Sequence, residues 1–249
     1  MSHLRRLIRL PLLLLHLMVA VLITLLFGRQ TPEGLPGPRF RRLIRAWYRG
    51  LCRILGVRVH VLGHPVEGPA LMVANHVSWL DIPVIGAHAP VGFLSKSEVR
   101  RWPVIGWMAR FTATVFIRRG EHGAADEVTR ALAGQMERGG AVVVFPEGTT
   151  TDGTRVRRFH PRLFAAAQQA GCPVQPVALR YHPRPDGQPG VAPFVGGESF
   201  LSHALRLLGE PGLGVDVVFA PPLAPEDLDR RGLAREAQAA VARVVSGGG

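Results

Sequence analysis

The stretch Leu71-Met72-Val73-Ala74-Asn75-His76-Val77-Ser78-Trp79-Leu80-Asp81 decides how this chain is read. Leu71 to Ala74 is a short apolar run with the character of a buried strand, and it stops at Asn75 and His76. Polar groups at the end of a buried strand are where α/β proteins place chemistry. A histidine exchanges a proton near neutral pH, and a carboxylate fixes its tautomer and stabilises the imidazolium. His76 with Asp81, and no evident serine or cysteine nucleophile paired with them, points to a base acting on a substrate hydroxyl. The plainer reading stands beside it: Asp81 caps a helix beginning Ile82-Pro83, or closes a capping box from Ser78. Five residues turn about 140° on a regular helix, so the pair meets only if His76 precedes the helix, on the strand-to-helix turn.

Working outward, 249 residues suffice for one α/β domain and an appendage. Cys52 and Cys172 stand far apart without metal-ligand spacing, so no metal site or disulfide framework is expected. The net charge of +12 is almost all arginine, Lys96 being the only lysine, and such a balance calls for an anionic partner.

Leu10 to Phe27 is nearly unbroken apolar sequence after Arg5, Arg6 and Arg9, at the short edge of a membrane-spanning helix and without a signal-peptide cleavage site. A Pro/Gly linker follows. Then Phe40, Leu43, Ile44, Trp47, Leu51, Ile54 and Leu55 form a helical stripe opposite Arg39, Arg41, Arg42, Arg45, Arg49 and Arg53. This pattern reads as a basic helix on an anionic membrane surface, each arginine adding about 1 kcal/mol of attraction. The alternative is that the stripe packs on the main domain. Arginine asymmetry places that domain on the cytosolic face of the inner membrane. Residues 1–57 are thus expected to be a membrane segment and 58–249 the main domain.

Within 58–249, strands are expected at 58–62, 71–74, 92–95, 111–117, 141–145, 174–181 and 215–220. Helices are expected at 126–138, 161–170, 198–208 and 225–245. Strands alternating with helices argue for an α/β fold, a mainly parallel or mixed sheet flanked by helices. Three turns then gather at one sheet edge: Asn75-His76, Arg118-Arg119, and Pro146-Glu147-Gly148-Thr149.

In these turns the chain resembles the glycerophospholipid acyltransferase family, typified by lysophosphatidic acid acyltransferase. Asn75-His76 with Asp81 is similar to its first motif, and Lys96-Ser97-Glu98 through Phe116-Ile117-Arg118-Arg119 to its second. Phe145-Pro146-Glu147-Gly148-Thr149 is similar to the third, and Val174-Gln175-Pro176-Val177-Ala178 to the fourth. The resemblance implies acyl transfer from acyl-CoA or acyl carrier protein to a lysolipid hydroxyl. His76 would be the base and Asp81 its orienting carboxylate. Asn75, Lys96, Arg118, Arg119, Glu147, Gly148 and Thr149 would hold substrate, and no cofactor would be needed. Lysophosphatidate is the first acceptor implied. One departure points elsewhere: many lysophosphatidate-accepting members carry arginine after Glu-Gly-Thr, whereas Thr150 stands here, in a run similar to lyso-ornithine lipid acyltransferases. A non-catalytic lipid-binding module competes as a second class. Nucleic acid ranks last, because no recognition fold appears in the sequence.

Overall fold

The structure, a computed structural model, describes residues 1–117, 124–184 and 190–247, without the side chains of 96, 124 and 125. Arg118 and Arg119 therefore lie outside the described residues, as does the side chain of Lys96.

The strands are β1 (Val57–Leu62), β2 (Ala70–Ala74), β3 (Val91–Lys96), β4 (Val115–Ile117), β5 (Ala141–Val144), β6 (Val174–Tyr181) and β7 (Leu213–Phe219). They form one sheet in the order β1-β7-β6-β2-β5-β3-β4. The five strands from β6 to β4 are mutually parallel, while β7 runs antiparallel to β6 and carries β1 parallel to itself. The sheet is mixed, as one of the expected alternatives had it. Arg180 and His60 both register with Asp216 of β7. The Asp216 carboxylate accepts from Arg180 at 2.7 Å and lies 3.0 Å from His182, which pins the antiparallel pairing.

β2 shows why the central strands read as continuous apolar runs. Ala70, Met72 and Ala74 join one core, Leu71 and Val73 the other, and none is exposed. The first core is roofed by α2 (Pro38–Leu55), α3 (Asp81–Gly86) and α7 (Phe200–Gly209). The second is roofed by α5 (Ala124–Glu137), α6 (Ala165–Ala170) and α8 (Arg230–Ser246). Two expected elements are shorter. The strand expected from Phe111 is confined to Val115–Ile117, after α4 (Ile105–Ala109) and a turn. There Thr112 Oγ1 donates to Ala109 O, and Ala113 takes a positive φ of 58°. The last helix begins at Arg230 because the Asp229 carboxylate caps Gly232 N at 2.6 Å.

The expected membrane-surface helix departs most from its sequence pattern. Leu51, Cys52 and Leu55 of α2 are core residues, with Trp47 packed against them, so the apolar stripe is spent on the domain. Arg45 and Arg49 donate to His88 O and Ala87 O, the carbonyls just after α3.

α1 (Ser2–Phe27) is the one helix among the described residues long and apolar enough to cross a membrane. It is nonetheless docked along the domain. Arg5 donates to Gly209 O, and Arg9 to Leu208 O and Glu210 O, capping the end of α7. In mid-helix the His16 and Trp47 rings stack at 4.9 Å, and each ring nitrogen bonds the other residue's carbonyl at 2.8 Å. A Cβ at Gly50 would lie 2.5 Å from the His16 ring, so glycine is what admits it.

His203 of α7 is fully buried; Nδ1 accepts from Trp79 Nε1 at 2.9 Å and Nε2 donates to Pro193 O at 3.2 Å. Burial first, then the Arg206 charge, push this imidazole below its ordinary value, against the weaker pull of Glu198. A lowered folded pKa means the unfolded chain binds the extra proton. Stability from this residue is therefore full above about pH 6.5 and falls as pH drops toward the folded value. His203→Asn, which keeps an acceptor near Trp79, should show a smaller loss of urea midpoint between neutral and mildly acidic pH than the wild type. Equal losses would refute the assignment.

Candidate active site

Because β2, β5 and β6 are parallel, their carboxyl ends open on one sheet edge, and the chemistry collects there. β2 ends at Ala74, and Asn75 to Leu80 form the turn into α3, whose first residue is Asp81. The Asp81 carboxylate faces backward. Oδ2 accepts from Val77 N at 2.8 Å and Ser78 N at 3.0 Å, and sits 2.7 Å from His76 Nδ1. Oδ1 accepts from Tyr181 OH at 2.7 Å. Asp81 is thus no cap for its own helix. It is a fully buried carboxylate that holds the preceding turn and the histidine together. With Nδ1 donating to the carboxylate, Nε2 keeps its lone pair, and the His76 side chain retains 21% exposure. The ring of Phe145 lies flat on it, at 4.0 Å between centroids and 14° between planes.

Glu147 is 5% exposed and works on the backbone: Oε1 accepts His76 N and Oε2 accepts Arg157 N, both at 2.8 Å. Burial pushes its carboxyl up from the usual range, while these two N–H groups pull it back. Thr151 N donates to His76 O at 2.8 Å, so the β2 and β5 turns are stitched at both ends of His76. Gly148 reverses the chain at φ 74°, where a side chain would be strained, and Thr149 is exposed on the rim with Arg155, Arg157 and Arg158. Ser78 is wholly buried, which removes its hydroxyl as a nucleophile.

The structure brings His76, Asp81, Glu147, Gly148 and Thr149 to one edge, but it gives two of the expected substrate contacts other work. Asn75 is 1% exposed and mimics a strand bond, its Nδ2 donating to Leu179 O and its Oδ1 accepting Leu179 N. Both Glu147 oxygens are likewise taken by backbone. These two build the site's frame. Lys96 ends β3 on the same edge. Tyr181 and Phe145 were missed as site residues. For Tyr181 a signal existed: it closes the apolar run of β6, four residues beyond the Val177 that pairs with Ala74.

An apolar face adjoins this edge. Trp79 packs on Phe200 at 5.0 Å and Phe200 on Trp102 at 5.9 Å. Val104, Ile105, Leu201 and Leu205 are exposed nearby along α4 and α7, both of which α1 touches.

Tyr181→Phe removes one donor from a buried carboxylate and should cost about 2 kcal/mol in chemical unfolding. It should also lower kcat while leaving KM within error, because it frees the carboxylate that orients the His76 ring. A KM change alone would place Tyr181 among substrate contacts instead.

A family model described as Acyltransferase matches residues 56–180, the segment that holds His76, Asp81, Phe145 and Glu147 and ends one residue before Tyr181. A lyso-ornithine lipid O-acyltransferase of Pseudomonas aeruginosa is 50% identical over 215 residues, 84% of this chain and 82% of that protein. A 1-acyl-sn-glycerol-3-phosphate acyltransferase of Neisseria meningitidis is 40% identical over 152 residues, 60% of this chain and 59% of that one. The crystal structure of the 1-acyl-sn-glycerophosphate acyltransferase PlsC from Thermotoga maritima superposes with a TM-score of 0.70 at 24% identity, covering 99% of this chain and 97% of its own. With the fold, the matched segment and the half-identical relative in agreement, the chain belongs to the acyltransferase family.

Proposed function

We propose that this acyltransferase moves a fatty acyl group from a thioester, acyl-CoA or acyl carrier protein, to the hydroxyl of a lysolipid. The observation that carries the chemistry is the 2.7 Å contact between His76 Nδ1 and the buried Asp81 carboxylate, which turns Nε2 outward as a base. Nε2 takes the proton of the lipid hydroxyl as its oxygen attacks the thioester carbonyl. The C–S bond then breaks, and the departing thiolate receives that proton from the imidazolium. No acyl-enzyme is needed, because the thioester is already activated. The stacked Phe145 ring and the Glu147 strut hold the imidazole in place through this exchange.

Lyso-ornithine lipid is the acceptor this reading favours. Thr150 stands where an arginine fork would suit a phosphate monoester, and its hydroxyl donates to Phe194 O. The relatives at 50% and 39% identity carry that acceptor in their names. Lysophosphatidate is the second reading, supported by the exposed Arg155, Arg157 and Arg158 on the rim. The donor's identity and the substrate contacts of Lys96, Arg118 and Arg119 belong to the same proposal.

The membrane arrangement follows from α1. Its inner face is committed to α2 and α7, while Leu4, Leu7, Ile8, Leu15, Met18, Leu22 and Leu25 remain exposed. About 39 Å of docked apolar helix, continuous with the exposed residues of α4 and α7, suits insertion into one leaflet with the helix held against the domain. The domain would then sit on the cytosolic face, with acyl chains entering beside Trp79 and Phe200.

His76→Ala should lower thiol release by about 10²–10⁴-fold with the fold intact by circular dichroism. Wild-type turnover in that variant would remove the base. A panel of lyso-ornithine lipid and lysophosphatidate against both thioesters ranks the acceptors, and a lysophosphatidate preference reverses the order given above. Leu15→Glu with Leu22→Glu should release the protein from vesicles. Retention on the bilayer would show that α1 is not the inserting face.

A further inference from the structure

The opposite edge of the sheet carries a second site. A cavity of about 90 Å³ opens where the first half of α2 meets the end of α5 and the starts of β3 and β5. Its lining includes Arg41, Arg45, Tyr48, Thr112 and Gln135, and no aspartate or glutamate is among its described lining residues. Gln135 is 4% exposed, and Arg138 Nη2 donates to its Oε1 at 2.9 Å, which fixes the amide with its NH2 as donor. That Nε2 has no acceptor among the described residues, and neither has the buried Nε of Arg45. Two buried N–H donors without acceptors are costly, and few native structures keep them without a reason. Burial pushes Tyr48 up to about 12, so its hydroxyl stays a phenol and a further donor. The cavity is far larger than one water requires.

We propose that this cavity binds a phosphate group, held by Arg41, Arg45 and the Gln135 amide. Arg41, Arg45, Tyr48 and the Gln135 amide can donate, the two arginines carry positive charge, and a tetrahedral oxyanion supplies the missing acceptors. The site is separate from the acyl-transfer centre. It lies at the amino ends of the strands, and the six residue steps from Ala70 to His76 span about 20 Å. Leu35 and Pro36 of the linker after α1 form part of its rim, so it opens beside the end of the apolar helix. A phosphate could therefore reach it free in solution or on a membrane lipid headgroup.

The test uses the full chain purified in detergent, with Arg41→Ala, Gln135→Leu and, as a charge control on the exposed side of α2, Arg42→Ala. Inorganic phosphate is titrated by calorimetry, and flotation is compared on phosphatidylcholine vesicles with and without phosphatidylglycerol. If free phosphate is the ligand, wild type and Arg42→Ala bind it saturably, and Arg41→Ala and Gln135→Leu bind it about tenfold more weakly, the size of one lost charged hydrogen bond. If the headgroup is the ligand, phosphate gives no saturation, and the same two variants lose the preference for phosphatidylglycerol while Arg42→Ala keeps it. Variants indistinguishable from wild type in both assays overturn the site, as does an Arg42→Ala loss equal to that of Arg41→Ala. Should Gln135→Leu fail to fold, the Arg41 and Arg42 pair decides.

Discussion

A charged carboxylate with no exposure to water is the constraint on which the active edge depends. Burying such a group unpaired would be prohibitive, and Asp81 is compensated by four donors: two backbone amides, one imidazole and one phenol. Those donors come from the β2 turn and from the last residue of β6, so the charge can be accommodated only when both strands are in register. The histidine's orientation is thereby a by-product of satisfying Asp81. Glu147 repeats the device from β5, spanning the amides of His76 and Arg157. Two acids thus shape the turns, and the imidazole of His76 between them keeps part of its surface turned outward. This division ties the edge together although it is built from loops.

Much of this was visible in the chain itself. The apolar run to Ala74, the five-residue interval to Asp81 and the Pro-Glu-Gly turn at the end of another apolar run all carry local signals of strand ends. Phe145 carried none that local patterning could decode, and Tyr181 only its place at the end of the β6 run. The Tyr181–Asp81 bond joins residues 100 apart, and the Phe145–His76 stack exists only because β5 lies beside β2. Asn75 and Glu147 were legible as important but not in their actual work. A polar side chain serving backbone groups and one serving a ligand look the same in sequence.

The arginine-rich character of the chain also changes meaning once folded. Amphipathic periodicity in α2 is genuine, yet its apolar side faces the sheet, and two of its arginines close the end of α3. Arg5 and Arg9 do the same for α7. Carbonyls at helix ends, like lipid phosphates, are negative, and composition cannot tell which of them an arginine will meet. What remains directed outward on α1 is apolar. Attachment to a bilayer is then governed more by hydrocarbon than by the charge count suggested, and salt should disturb it less.

The clasp between α1 and α7 has a bearing on how the molecule is made. Arg5 and its carbonyl partner Gly209 are 204 residues apart, so the first helix leaves the ribosome long before its dock exists. Until α7 is made, this 26-residue helix has α2 but not its second dock to lie against. The nearest refuge is lipid, and the nascent chain would be tethered there while the sheet assembles behind it. Closure of the clasp, which waits for α7, would then fix the finished domain against the helix that was tethered first.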